Sequence, residues 1–423
     1  MTLDIAQVRS SFPALKSGYI FADNAGGSQC LSDVVSRISD YLLNTNVQLG
    51  ADYSVSVTST QRVADGIEAV RELFNAESAD EIALGSSSTM LAENLARAME
   101  GDFLEGEEII VTGEHEANAG PWKKLAARKG LTLKVWAHTP LASAPNNPYA
   151  VALQLDALLP LITPKTRLLT FTGCSNILGA LVPVKAFTAA ARARAAELGV
   201  RKLEVCIDCV AYAPHRRIDV RAWDVDYCFF SMYKVYGPHI GALYARSTSL
   251  AHSLTSLAHH FLRVEDKSYK LQPGGPGYEL AYACTAVPAY LRGLAPAGEL
   301  DDAWARIAAH EQALVRPLLE YLKGKEARGV RIVGEETAGA GRAPTVSFVV
   351  VGERAVSSRD VVRAFDEKKN IGIRYGHFYA YTLVDSLSPK IDVDDAVVRI
   401  SLVHYNTVEE VQKIIDILEE VLA

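Results

Sequence analysis

Short apolar runs alternate with amphipathic stretches through the first two-thirds of the chain. Asp80–Gly85 (DEIALG) leads into Thr89–Glu100 (TMLAENLARAME), and Glu107–Gly113 (EEIIVTG) leads into Gly120–Gly130 (GPWKKLAARKG). Thr166–Gly173 (TRLLTFTG) likewise precedes Val184–Gly199 (VKAFTAAARARAAELG), and three further runs follow at Lys202–Asp208, Asp226–Ser231 and Ile240–Arg246. Strand-like runs that alternate with ten- to fifteen-residue helical patterns predict parallel βαβ units in an α/β sandwich.

From about Leu300 the pattern changes. A long charged helix over Asp301–Leu322 precedes strand-like runs at Val330–Gly334 and Thr345–Val350, then a helix near Arg359–Lys368. Two more runs, Asn370–Gly376 and Ala396–Leu402, come before a closing amphipathic helix from Thr407. This reads as a smaller α+β domain. The expected division is an N-terminal segment, 1–20, packing with the small domain, a large domain over 21–295 and a small C-terminal domain over 296–423.

The chain has 423 residues and a net charge of -7, with no basic cluster of the kind a nucleic-acid surface needs. The densest basic stretch, Pro214–Arg221 (PHRRIDVR), is broken by acidic and apolar residues and is expected to be a solvated turn. No apolar run reaches the roughly eighteen residues that span a bilayer. The opening residues show no secretory pattern and the last show no sorting tripeptide, so a cytoplasmic location is expected. Among six cysteines only Cys206 and Cys209 form a C-x-x-C pair. With no second pair to complete a zinc site, and a strand-like setting, they are expected to be buried thiols, and no metal is expected.

In an open parallel sheet the ligand lies beyond the carboxyl ends of the strands, and polar residues gather at those ends. Ser86, Ser87, Ser88 and Thr89 form a hydroxyl-rich strand-to-helix turn, which suits a phosphate but equally suits a plain helix cap. Neither a phosphate-loop nor a dinucleotide glycine motif is present. His115 follows another strand, where an imidazole can stack on a planar ligand or cap a helix. Asn176, Asp208 and Lys234 each follow one more. Lys234 sits in the run DYCFFSMYKVYGPHIGALYAR, with no carboxylate within seven residues on either side. A buried, unpaired lysine loses its proton readily and becomes a nucleophilic amine, whereas a lysine at a strand end can also snorkel to water. Pyridoxal phosphate is the one cofactor that wants this whole set: a lysine for its aldehyde, an acid for its ring nitrogen, a stacking group and an anion cradle.

With these residues in place, the sequence resembles the class V aminotransferases of the fold-type I pyridoxal-phosphate enzymes, a family that includes cysteine desulfurases and isopenicillin N epimerase. The likeness runs from Ile20–Gln29 (IFADNAGGSQ) through EHEANAGPW, SNILG and SMYKVYGPHIGALY to Arg399–Val411 (RISLVHYNTVEEV). It implies a mostly parallel sheet sandwiched by helices, a small α+β domain and a homodimer acting on an amino acid. It also implies residue roles. Lys234, His115 and Asp208 are catalytic, with Lys234 carrying the cofactor, Asp208 on the pyridine nitrogen and His115 on the ring. Ser87, Ser88, Thr89 and Ser231 surround the phosphate, with Tyr233 replacing a family histidine and Gly275 contributed across the dimer. Asn24, Asn176, Arg374, His377, Tyr379 and Arg399 are placed at the substrate, Arg399 gripping its carboxylate and Asn176 also approaching the phenolic oxygen of the cofactor.

The departures from the family pattern sharpen the functional expectation. Ala211 stands where a glutamine usually approaches the cofactor, and Gly275 lacks the hydroxyl of the family G-T-P. In R-Y-G-H-F-Y, Tyr379 occupies the position of the cysteine that accepts sulfur in one group of desulfurases. Among family members the sequence looks most like the fungal enzyme type of loline alkaloid biosynthesis, which closes a pyrrolizidine ring by a Mannich reaction after Cα deprotonation to a quinonoid. An aromatic wall of Tyr375, Phe378, Tyr379 and Tyr381 is expected around a cyclic iminium. The alternatives are an aminotransferase, an epimerase, a cysteine-independent C–S lyase and, in another class, a non-catalytic protein that keeps the fold.

Overall fold

The computed structural model describes residues 3–368 and 370–423. Among the described residues, eleven strands form the two larger sheets. Seven of them, β1 (Ile82–Gly85), β2 (Glu108–Thr112), β3 (Thr132–Trp136), β4 (Thr166–Thr172), β5 (Glu204–Asp208), β6 (Tyr227–Ser231) and β7 (Gly241–Ala245), form one sheet in the order β1-β7-β6-β5-β4-β2-β3. The other four, β8 (Val330–Val333), β9 (Thr345–Val350), β10 (Arg374–Gly376) and β11 (Val397–Ser401), form a second sheet in the order β8-β9-β11-β10.

Strands β2, β4, β5 and β6 are buried along their whole length, as expected where helices cover both faces of a parallel sheet. Pairing from β3 through β2, β4 and β5 to β6 is parallel. The exception is β7, which runs antiparallel to both β6 and β1. The short path Met232–Ile240 returns β7 directly beside β6, and a connection that short permits only a hairpin-like return.

The N-terminal segment reaches both sheets' cores. Phe12 packs against Tyr236, Tyr290, His404 and Tyr405. Ile20 and Phe21 pair in parallel with Ile371 and Gly372, beside the second sheet. The stretch Pro214–Arg221 is not the solvated turn its composition suggested. His215 is 4 % exposed and meets Glu311 of the long helix Leu300–Gly324 at 2.7 Å, and Arg216 reaches the other oxygen of Glu311 at 2.7 Å. A buried carboxylate in a distant helix supplied the partner that local composition could not show. Cys206 and Cys209 are both buried, and the described residues contain no cluster of metal-ligating groups. No helix among them is long and apolar enough to cross a membrane.

Candidate active site

The carboxyl end of β6, the loops after β2 and β4, and strands β10 and β11 of the second sheet converge on one cavity of about 90 Å³; Asp208, Ser87, Ser88, Thr89 and Ser231 are not among the residues that line it. Ala25, Gly26, His115, Asn176, Tyr233, Lys234, Arg374, Phe378, Tyr379 and Arg399 line it. Thus Lys234, His115, Asn176, Tyr233, Arg374, Tyr379 and Arg399, widely separated in the chain, come together.

Lys234 closes a short 3-10 turn directly after β6 and is 7 % exposed. Its Nζ donates to the carbonyl of Ala25 at 2.7 Å, with no carboxylate in salt-bridge contact. Burial, reinforced by the positive charge of Arg399, brings its pKa down to about 8. Asp208 ends β5 and is also buried; desolvation raises its pKa to about 6, although the Val210 amide donating to Oδ1 at 2.9 Å and the Lys234 charge oppose that rise. A buried acid of this kind suits a protonated ring nitrogen, whose positive charge would restore its anionic form.

His115 both caps a helix and lines the cavity. Its Nδ1 accepts from the amide of Ala117 at 3.2 Å at the start of the helix Glu116–Lys129. That bond leaves the proton on Nε2, and burial together with the charges of Lys234 and Arg399 holds its pKa at about 4, so the ring is neutral.

Two hydroxyls meet beneath the turn after β1. Ser88 Oγ and Ser231 Oγ lie 2.8 Å apart, while Ser87 Oγ accepts from Met90 N at 3.1 Å and caps the helix Ser88–Met99. Gly241 makes this approach possible, since a Cβ there would stand 2.4 Å from the carbonyl carbon of Ser87. Thr89 faces an adjoining chamber with His115, Tyr233 and Tyr379. Gly275 lines a separate cavity with Gly85, Ser86 and His239, so within one chain it does not reach Lys234.

Arg399, on β11, is 1 % exposed. One terminal nitrogen donates to Asp23 Oδ1 at 2.8 Å and the other to the Asn176 carbonyl at 3.2 Å, while Nε has no partner. The guanidinium lies 3.6 Å from the centre of the Phe378 ring, and desolvation brings its pKa down to about 10 against the pull of Asp23. Arg374 stands opposite Arg399 in the β10–β11 register and shares Asp23 at 3.5 Å. The side chain of Asn176 donates from Nδ2 to the Phe378 carbonyl at 3.0 Å, which leaves its buried Oδ1 as an unpartnered acceptor.

Four expected residues, Asn24, His377, Tyr375 and Tyr381, do not line this cavity. Asn24 is 2 % exposed and its amide binds Phe21, Ser401, Asn406 and Tyr405, forming a knot behind the cavity rather than part of its wall. His377 accepts from Tyr379 N at 3.2 Å, and its ring packs on Tyr381. Of the expected aromatic wall, Phe378 and Tyr379 reach the cavity; Tyr375 and Tyr381 do not. Consecutive left-handed residues, Phe378 with φ 48° and Tyr379 with φ 62°, turn the Tyr379 side chain outward. Its ring lies 5.4 Å from His115 and its carbonyl accepts from Glu116 N at 2.8 Å.

The sequence reading missed Asp23, the carboxylate shared by both arginines. Its arginine partners lie more than three hundred residues along the chain, so no local pattern could reveal the pairing.

Comparison with known proteins bears on the family and the fold. The aminotransferase class-V family model matches residues 20–414. The aminotransferase-like protein FGM3 of Gibberella zeae is 43% identical, the match covering 100% of this chain and 99% of that protein. The cysteine desulfurase-like protein ustD of Aspergillus flavus is 33% identical, with 99% and 91% covered. Among solved structures, the cysteine desulfurase CsdA of Escherichia coli superimposes with a TM-score of 0.81 at 24% identity, covering 100% of this chain and 99% of that one. At that identity the likeness is one of fold.

Proposed function

The chain belongs to the class-V aminotransferase family, and from that premise we propose that it forms a carbon–carbon bond at the α-carbon of an amino acid, closing a ring onto a tethered cyclic iminium. It is a pyridoxal-phosphate-dependent enzyme with the fold-type I architecture. The residues fit that cofactor: a buried amine at Lys234, a buried acid at Asp208, and a hydroxyl pair at Ser88 and Ser231 beside a helix N-terminus. When bound, pyridoxal phosphate joins the substrate nitrogen through its aldehyde and draws electrons from a bond at Cα.

The observation that carries the reading is the absence of sulfur from the cavity wall. Tyr379 stands at its rim, and none of the six cysteines lines it. Five of those thiols are buried, and burial pushes the pKa of each one up, so none is poised as a thiolate. A phenol cannot accept sulfur as a persulfide, which supports a fate for the α-carbon electrons other than desulfuration, and we assign them to a carbon electrophile.

In this reaction Arg399 holds the carboxylate through its free Nε edge. Neutral Lys234 Nζ removes the Cα proton. The new bond joins Cα to the iminium carbon, the iminium π pair settles on nitrogen, and the carboxylate is retained. His115, neutral and fixed by its cap, would pack against the bound cofactor, and Asn176 Oδ1 would accept from a donor on cofactor or substrate. The ring of Phe378, stacked on Arg399, keeps water from the guanidinium face. We also assign the enzyme to the cytoplasm, as a homodimer of secondary, alkaloid-type metabolism.

The test is product analysis with amino acids that carry a cyclic iminium side chain. The expected product is bicyclic, has the mass of the iminium substrate, and carries a quaternary or newly substituted α-carbon. Sulfide and alanine released from cysteine at comparable rates would overturn the reading.

A further inference from the structure

Glu114 lies one residue before His115 and outside the cavity lining, yet it is only 3% exposed. Its carboxylate stands where three neighbouring strands of the large sheet release their chains: Glu114 follows β2, His138 follows β3 and Ser175 follows β4. Ser175 Oγ donates to Glu114 Oε2 at 2.9 Å, and His138 Nε2 lies 2.8 Å from Oε1. An ionised carboxylate only accepts, so both bonds run toward Glu114 and the His138 proton sits on Nε2. Among the described residues no lysine or arginine forms an ion pair with it. A carboxylate buried on a hydroxyl and an imidazole alone costs stability. What it supplies is direction.

That direction reaches the substrate side of the site. A hydroxyl has one proton and two lone pairs. With its proton given to Glu114, Ser175 Oγ turns its lone pairs to the amides of Leu178 at 3.0 Å and Ile177 at 3.4 Å. The Ser175 carbonyl accepts from Gly179 N at 3.0 Å and closes the turn. Asn176 sits inside this turn. Its carbonyl accepts from Arg399 at 3.2 Å, its Nδ2 donates to the Phe378 carbonyl, and its Oδ1 is left without a partner. A continuous path thus leads from Glu114 through Ser175 and Asn176 to the guanidinium of Arg399.

We propose that Glu114 is a positioning residue for amino-acid binding: it fixes the Ser175 hydroxyl, and with it the turn that holds Asn176 against Arg399. Arg399 needs that second support. A guanidinium held by Asp23 alone can swing about that bond, and a carboxylate is gripped well only by a fork already in place. Glu114 acts through Ser175 and does not itself line the cavity. The inference rests on the assignment of Arg399 to the substrate carboxylate, not on the fate of the α-carbon.

The experiment compares two ligands on the holoenzyme through the absorbance of its cofactor. One is 2-aminoisobutyrate, which has no α-proton to lose; the other is isopropylamine, the same skeleton without the carboxylate. The wild type is expected to prefer 2-aminoisobutyrate by at least about tenfold in dissociation constant. Glu114→Ala and Ser175→Ala should each cut that preference by about fivefold or more and leave isopropylamine binding unchanged, and Ser175→Ala carries the test should Glu114→Ala fail to fold. The double variant should lose no more than about twofold beyond either single one, because both remove the same bond. Glu114→Gln should restore most of the preference, its amide oxygen accepting from Ser175 and its amide nitrogen donating to the other tautomer of His138. A matching loss of isopropylamine binding would show a general loss of packing and overturn the positioning role. So would losses that multiply in the double variant, or a Glu114→Gln variant as weak as Glu114→Ala. A wild type that binds both ligands alike removes the carboxylate from Arg399 and this inference with it. A preference that ignores both Glu114 and Ser175 leaves Arg399 in place and overturns the inference alone.

Discussion

The buried amine of Lys234 permits a quantitative prediction. An ordinary lysine with a pKa near 10.5 is about 0.1% neutral at pH 7.5, whereas one at about 8 is about 24% neutral, roughly a 240-fold gain in the reactive form. The assay is reductive alkylation of the cofactor-free protein by a small aldehyde, with each lysine followed by peptide mass spectrometry across pH. Lys234 should reach half its limiting rate near pH 8 while surface lysines climb toward pH 10. Arg399→Met removes the second cause of the shift and should move the midpoint up; Asp208→Asn removes the charge opposing it and should move the midpoint down. The same shift has a stability consequence. The folded pKa lies below the unfolded one, so the unfolded chain binds more protons between about pH 8 and 10.5, and stability from this group rises with pH through that window. Its burial therefore destabilises the protein most below pH 8, by about 3 kcal/mol at a 2.5-unit shift. Lys234→Met in the cofactor-free protein should raise the melting temperature at pH 7 and lose that advantage above pH 10.5. A midpoint for Lys234 at pH 10 or higher would refute the argument.

Other outcomes follow from the same geometry. Arg399→Lys should raise KM for the amino acid by about 30- to 100-fold with a smaller fall in kcat, because a point charge cannot reproduce bonds to Asp23, Asn176 and the carboxylate together; unchanged KM would move the carboxylate elsewhere. Thiol titration of the native protein should show at most one rapidly reacting cysteine, Cys30, since the other five are buried; several fast thiols would contradict the packing around β5 and β6. Tyr379→Phe should retain most activity and Tyr379→Ala should lose about tenfold or more if the ring face closes the cavity; Tyr379→Ala with wild-type kinetics would remove Tyr379 from the site. Sedimentation should give a homodimer, and a stable monomer with full turnover would exclude shared sites.

How much of this was legible in the sequence depended on the range of the interaction. Strand-to-helix alternation placed β1, β2, β4, β5, β6 and β7, and the elements after Leu300 followed their periodicity closely. The expected helix over Asp301–Leu322 is found at Leu300–Gly324, for example. The antiparallel course of β7 was hidden, because an apolar strand carries no sign of its direction. The edge strand β3, mostly unburied, lacks the continuous apolar run that marked the others. Lys234, Asp208, His115 and Arg399 stood in motifs specific enough to be read together. Asn24 and His377 stood in equally suggestive motifs, yet the fold turned the former into a buried knot and the latter toward Tyr381. Motif position sets the loop; side-chain direction is decided by partners far along the chain, as the two arginines on Asp23 show.

The separation of the two halves of the site along the chain also bears on how the protein is made. Asp208, Ser231 and Lys234 belong to a sheet whose last strand ends at Ala245, whereas Arg399 arrives on a strand that begins at Val397. At the ribosome the interval between them takes on the order of ten seconds. The nascent chain can therefore assemble its cofactor half, anchored at Ala25, before the half that grips the amino acid has emerged. Throughout that interval the emerged chain carries the buried amine and acid of the site but not the arginine assigned to the amino acid's carboxylate.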